Sequence, residues 1–154
     1  MTVENLTPAG SQPLSPPLVV VHSSRADVWS VGTIANHGVA AIAEDANNAP
    51  LEEVLPGVRG VTEVFTVAGG PIPPGATRTF EVETRGPANR LSLLTMLVNT
   101  NDAFTGLDSL RVRGQGMCSR RWPTTPAANA TTNWPGSSPG RAATTRSCVT
   151  PKAP

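Results

Sequence analysis

From Thr77 to Thr84 the chain alternates, with Phe80 and Val82 on one side and Glu81 and Glu83 on the other, the period of a half-buried antiparallel strand. Val61 to Val67 alternates in the same way. Between them, Gly69-Gly70-Pro71-Ile72-Pro73-Pro74-Gly75 excludes regular structure, because proline lacks a donor and glycine frees the turn. Leu91 to Val98 is an apolar run bounded by Gly86-Pro87 and by Asn99-Thr100-Asn101-Asp102, which favours a buried strand over a short helix. Further strands are predicted at Val3 to Leu6, at Leu18 to Val21 after Pro16-Pro17, and at Ser109 to Val112. Helical spacing is confined to Asn36 to Glu44 and to Pro50 to Leu55, the latter opening with proline at a first helical position. Short strands separated by Pro/Gly turns, with one helical excursion, predict an all-β antiparallel β-sandwich.

Composition agrees with that pattern. The 154 residues suit a single core, and 14 glycines plus 16 prolines favour turns over long helices. A net charge of +1 with 15% charged residues gives no overall basic field, which argues against general nucleic-acid binding. No apolar run approaches the 18 or so residues of a membrane span. The N-terminus Met1-Thr2-Val3-Glu4-Asn5 has no basic, apolar and small-residue leader pattern.

Charge divides the chain. All 11 acidic residues and seven of the 12 basic ones precede Gly114, whereas Gln115 to Pro154 contains no Asp, Glu, Leu, Ile or Phe. Such a segment buries too little apolar surface to offset chain entropy, so residues 114–154 are predicted to be a disordered Pro/Thr/Ala/Arg-rich tail behind a domain at 1–113. Cys118 and Cys148, the only cysteines, both lie in this tail and leave the redox compartment open.

No nucleophile elbow, phosphate loop, dinucleotide fingerprint, His-Glu-x-x-His or paired Cys-x-x-Cys is present. His22 and His37 are the only histidines, and His22, directly after an apolar strand, reads as a structural strand-end residue. A hydrolase would need His22 beside a carboxylate such as Asp102 or Glu44. The richest stretch is Asn99 to Leu110, where short oxygen-bearing side chains crowd a turn. Asp102 and Asp108 would supply carboxylates to a calcium shell of six to eight oxygens, although Asn and Asp also fill turns by bonding their own backbone.

Several segments together resemble the spondin N-terminal domain in its short bacterial form. They are Asn5-Leu6-Thr7-Pro8, Gln12 to Val20, Gly70-Pro71-Ile72-Pro73-Pro74-Gly75, Leu91-Ser92 and Met96 through Leu110. The resemblance runs from about residue 2 to 113. It implies an extracellular β-sandwich similar to C2 domains, found in matrix and adhesion proteins, with a metal ion at one end. By that likeness Asp102 matches a metal ligand and Asp108 a second acidic position. A later Tyr-Asp-Ala-Gly-Thr/Ser-Glu-like segment, which supplies another carboxylate in the family, is missing here.

The genetic code offers a reason. Read one frame over, Trp122-Pro123 forces Ala, Asn133-Trp134 forces Leu and Trp134-Pro135 forces Ala. Permissible wobble bases turn Trp122 through Pro135 into Ala-Tyr-Asp-Ala-Gly-Ser-Glu-Arg-Asn-Asp-Glu-Leu-Ala, the missing segment. A frameshift or truncation after about residue 114 is therefore expected, leaving the domain short of its last strands, calcium weakly held and the tail cysteines without function. Val3 already falls in the family's first strand, so any leader would precede Met1.

The sequence thus predicts a non-enzymatic, secreted or cell-surface adhesion module, monomeric, that binds a matrix, glycan or protein ligand. Two alternatives stand beside it: a C2-like, calcium-dependent membrane-surface module, and a hydrolase using His22.

Overall fold

Two four-stranded antiparallel sheets build the molecule, as seen in a computed structural model that describes residues 1–112 and the backbone of Cys118–Trp122 and Thr145–Cys148. The strands are β1 (Thr2–Asn5), β2 (Leu18–His22), β3 (Val61–Thr66), β4 (Thr77–Thr79), β5 (Arg90–Met96), β6 (Phe104–Arg111), β7 (Cys118–Trp122) and β8 (Thr145–Cys148). One sheet has the order β4-β1-β8-β7 and the other β3-β2-β5-β6. Helices α1 (His37–Asp45) and α2 (Ala49–Val54), followed by a 3-10 turn at Leu55–Gly57, lie between β2 and β3.

Strand β2 shows how the layers arise. All five of its residues are buried, so both faces of the second sheet must be covered. Val19 and Val21 join Val3 of β1 and Leu91, Leu93 and Leu107 in the core shared by the two sheets. Leu18 and Val20 face the other way, into a second core with Val39, Ile42 and Ala43 of α1, Leu51 of α2, Leu94 and Phe104. The result is sheet, sheet and helices in three layers. Helix α1 begins where Asn36 Oδ1 accepts the Val39 N–H at 2.9 Å and ends at Ala46 in the left-handed region.

The strand expected over Thr77 to Thr84 is regular only to Thr79. The register with β1 ends there: Thr79 pairs with Thr2, and Phe80 N–H reaches the Met1 carbonyl at 2.9 Å. Beyond that the ladder with β1 is not continued among the described residues, yet the alternation persists, Phe80 and Val82 packing on the core while Glu81 and Glu83 are exposed. The two stretches of helical spacing, Asn36 to Glu44 and Pro50 to Leu55, form α1 and α2. The β6 strand begins at Phe104, five residues before the expected Ser109. Thr105-Gly106 reads as turn chemistry, but Gly106 is a close-approach residue within a strand: a Cβ there would lie 1.9 Å from the Leu93 carbonyl oxygen.

In the segment expected to be a disordered tail, β8 pairs with β1 and β7 with β8. The remainder of that expectation, at 113–117, 123–144 and 149–154, lies outside the described residues.

Candidate functional site

Asp102 sits in the tight turn that joins β5 to β6. The turn is closed by Leu97 N–H to the Ala103 carbonyl at 2.8 Å and by Thr100, whose N–H (2.9 Å) and hydroxyl (2.6 Å) both donate to the Leu97 carbonyl. The loop after β1 clasps it from the side: Val98 N–H donates to Pro13 O at 3.1 Å, Asn99 N–H to Gln12 Oε1 at 3.2 Å, and Asn99 Nδ2 to Ser11 O. Beneath the clasp lies Asn5, fully buried, whose Nδ2 donates to Gln12 O (2.8 Å) and Ile72 O (2.9 Å) while its Oδ1 accepts from the Thr7 hydroxyl (2.7 Å). Asn5 thus ties this loop to the proline-rich loop around Ile72. Sequence reasoning assigned Asn5 no role; the available signal was a polar side chain two residues after Val3, at an inward position of the strand.

Asp108 is elsewhere. It lies inside β6, six residues along the chain from Asp102, which at an extended rise is roughly 15–20 Å. The register shows why. Leu93 pairs with Leu107 and Leu91 with Leu110, so Asp108 and Ser109 together oppose the single residue Ser92 in a β-bulge. Ser109 takes the left-handed conformation, φ 47°, unusual for a residue with a Cβ. Its N–H donates to Ser92 Oγ at 3.0 Å and its carbonyl accepts from Arg90 Nη1 at 3.1 Å.

The expected pair of calcium carboxylates is therefore not brought together. A single ion spans about 5 Å between opposed ligand oxygens, far less than this separation. At the Asp102 turn, the buried polar atom without a partner among the described residues is Gln12 Nε2, a donor that no cation satisfies. No cluster of three or more His, Cys, Asp or Glu side chains able to hold a metal occurs among the described residues.

His22 and Ser92 face each other across β2 and β5, both fully buried, with His22 Nε2 and Ser92 Oγ 2.9 Å apart. The pair has the composition of a catalytic dyad, but the other ring nitrogen, Nδ1, is bound to the Ser23 carbonyl at 2.9 Å and no face of either side chain is open to solvent. Both ring nitrogens are occupied without Asp102 or Glu44, the carboxylates a hydrolase would have required. His37, the other histidine, is the exposed first residue of α1.

The sequence model of the Spondin_N family matches residues 7–140. The chain belongs to the Spondin_N family. The match takes in the Asp102 turn, the β6 bulge and both cores, and it continues to residue 140, past the break at Arg113-Gly114 where the resemblance read from the sequence ends. Spondin_N domains are extracellular and non-enzymatic. Comparison with curated proteins gives no match. Among the described residues no helix is long and apolar enough to cross a membrane.

Proposed function

We propose that this Spondin_N chain is a secreted or cell-surface binding module that works by adhesion rather than turnover, with a matrix, glycan or protein ligand. The observation that carries the reading is the family match over residues 7–140 on a two-sheet scaffold. The sealed His22–Ser92 pair supports it, since the one arrangement with a familiar catalytic composition is spent on holding two strands and a bulge together. Calcium enters weakly through Asp102 alone, because Asp108 is committed to β6. Surfaces coated with the folded chain should retain extracellular polymer or cells in a saturable way; surfaces coated with unfolded chain should not.

A second reading, the membrane-surface module, is favoured by one observation. Val31 and Ile34, in the loop between β2 and α1, are 58% and 95% exposed. The turn from Ser30 to Thr33, closed at 3.2 Å with Gly32 at φ 84°, holds Val31 at its tip. Cosedimentation with anionic vesicles, with and without calcium, tests that reading: binding that requires Val31 and Ile34 would favour it over adhesion.

A further inference from the structure

The end of the second sheet where β2 and β6 finish and β3 and β5 begin is a row of arginines. Arg90 is the first residue of β5 and Arg111 the last of β6, and the two are directly opposed Cα partners. On the other side of β5, Arg90 pairs with His22 at the end of β2. Three residues past His22 comes Arg25, beside Gly60: a Cβ built at Gly60 would lie 3.4 Å from Arg25 Cβ. Gly60 accepts the Ser23 N–H at 2.8 Å, and Arg59 precedes it at the entrance to β3. Arg90 and Arg111 thus end strands β5 and β6, and Arg25 and Arg59 lie in the segments that leave β2 and enter β3 at the same end. With neighbouring strands about 4.8 Å apart, the row is about 15 Å long.

Folding does not explain it. Like charges directly opposed on an antiparallel pair are destabilising, so the Arg90–Arg111 pairing costs the sheet stability. Arg90 donates to Ser109 O, but the side chains of Arg25, Arg59 and Arg111 are exposed and make no ion pair among the described residues. The carboxylates near the row are Asp27, engaged by the Ser30 hydroxyl at 3.0 Å, Asp108 in the bulge, and Glu63, exposed in β3 opposite Val21. Together they leave the row with a surplus of positive charge.

Resting on the adhesion reading above, we infer that this row is the ligand site and that the ligand is an anionic polysaccharide, sulfated or carboxylated. Guanidinium groups bind such oxyanions through paired N–H donors, and a line of them suits a linear chain bearing repeated charges. A bilayer fits less well. The exposed apolar residues Val31 and Ile34 follow Trp29, which stacks edge-on against Phe104 at the opposite end of β6, with centroids 5.3 Å apart. Val31 and Ile34 thus belong to a loop tied to that opposite end rather than to the row.

The test uses the full chain and heparin as the probe, with neutral dextran as control. Affinity is measured against salt for the natural protein and for Arg25→Ala/Arg59→Ala/Arg111→Ala, whose folding is followed by circular dichroism. Arg90 is left in place because it supports the bulge. Heparin should bind and dextran should not. The triple variant should lose at least about tenfold in affinity, and the slope of log Kd against log salt should fall by about 2–3, near one per arginine. If the triple variant does not fold, Arg59→Ala alone should lower the slope by about one. No heparin binding, or heparin binding unchanged in these variants, overturns the inference. So does binding to phosphatidylserine vesicles without binding to heparin, which would make the row a lipid site. Retention on coated surfaces distinguishes the two levels: if natural and variant chains retain polymer or cells equally while heparin fails, the adhesion reading stands and the arginine row does not.

Discussion

His22 Nε2 lies 2.9 Å from Ser92 Oγ across the β2–β5 pair, and the direction of that hydrogen bond is fixed by its neighbours. The Ser23 carbonyl can only accept, so in the neutral imidazole His22 Nδ1 carries the proton and Nε2 is the acceptor. Ser92 therefore donates its hydroxyl to His22 and accepts the Ser109 N–H at 3.0 Å. One serine binds a buried histidine on one side and a bulge in left-handed conformation on the other. A hydroxyl so placed is structural.

Ser92→Ala should leave His22 Nε2 and the Ser109 N–H unpaired in a dry environment. The expected loss of stability is about 2–4 kcal/mol, read by urea unfolding at constant m-value. His22→Ala should likewise destabilise the domain; unchanged stability with loss of a turnover would instead support the hydrolase.

Gly106→Ala places a methyl 1.9 Å from the Leu93 carbonyl oxygen, where only strand separation relieves the overlap. We expect at least about 3 kcal/mol of destabilisation or failure to accumulate as soluble protein. A variant with unchanged Tm would contradict the close pairing of β5 and β6 here.

Asn5→Ala removes the four side-chain bonds that join β1 to Gln12, Ile72 and Thr7. Stability should fall by about 2–3 kcal/mol. Hydrogen exchange should show protection lost in the loops around residues 7–14 and 68–76 before β2 and β5 are affected.

Calcium should matter little. A site resting on Asp102 alone has at best the millimolar affinity of weak extracellular sites, so 1 mM calcium should add no more than about 0.5 kcal/mol. Asp102→Asn should abolish even that. A calcium-induced rise in Tm of several degrees, lost in Asp108→Asn, would show that the two carboxylates do act together.

Residues beyond 113 carry two readings with different consequences. The family match reaches residue 140, whereas the charge break at Gly114 and the codon arithmetic at Trp122 to Pro135 point to a changed reading frame. Sequencing the coding DNA from Leu110 to beyond Pro154 separates them. The frame-change reading expects Tyr-Asp-Ala-Gly-Ser-Glu in an open alternative frame; its absence would make the basic extension genuine.

Much of the scaffold was legible because burial imposes a period on the chain. Val19 and Val21 against Leu18 and Val20, and Phe80 and Val82 against Glu81 and Glu83, sort themselves by face. Strand ends were less legible because they depend on pairing with another strand, as β4 keeps its register with β1 only to Thr79. The site was read least well. Thr105-Gly106 and Asp108-Ser109 have turn chemistry in sequence but serve close strand packing and a bulge, properties set by Leu93 and Ser92 on another strand. The arginine row escaped for a similar reason, since Arg25, Arg59, Arg90 and Arg111 are scattered in sequence and meet only through sheet register.

The central claim is that this Spondin_N chain adheres and does not turn over a substrate. Surfaces coated with the folded full chain and with the same chain unfolded in denaturant before coating test it most directly when both are challenged with extracellular polymers and cells. The account predicts saturable retention on the folded chain and none on the unfolded chain. Equal retention on both surfaces, or none on either, would contradict it.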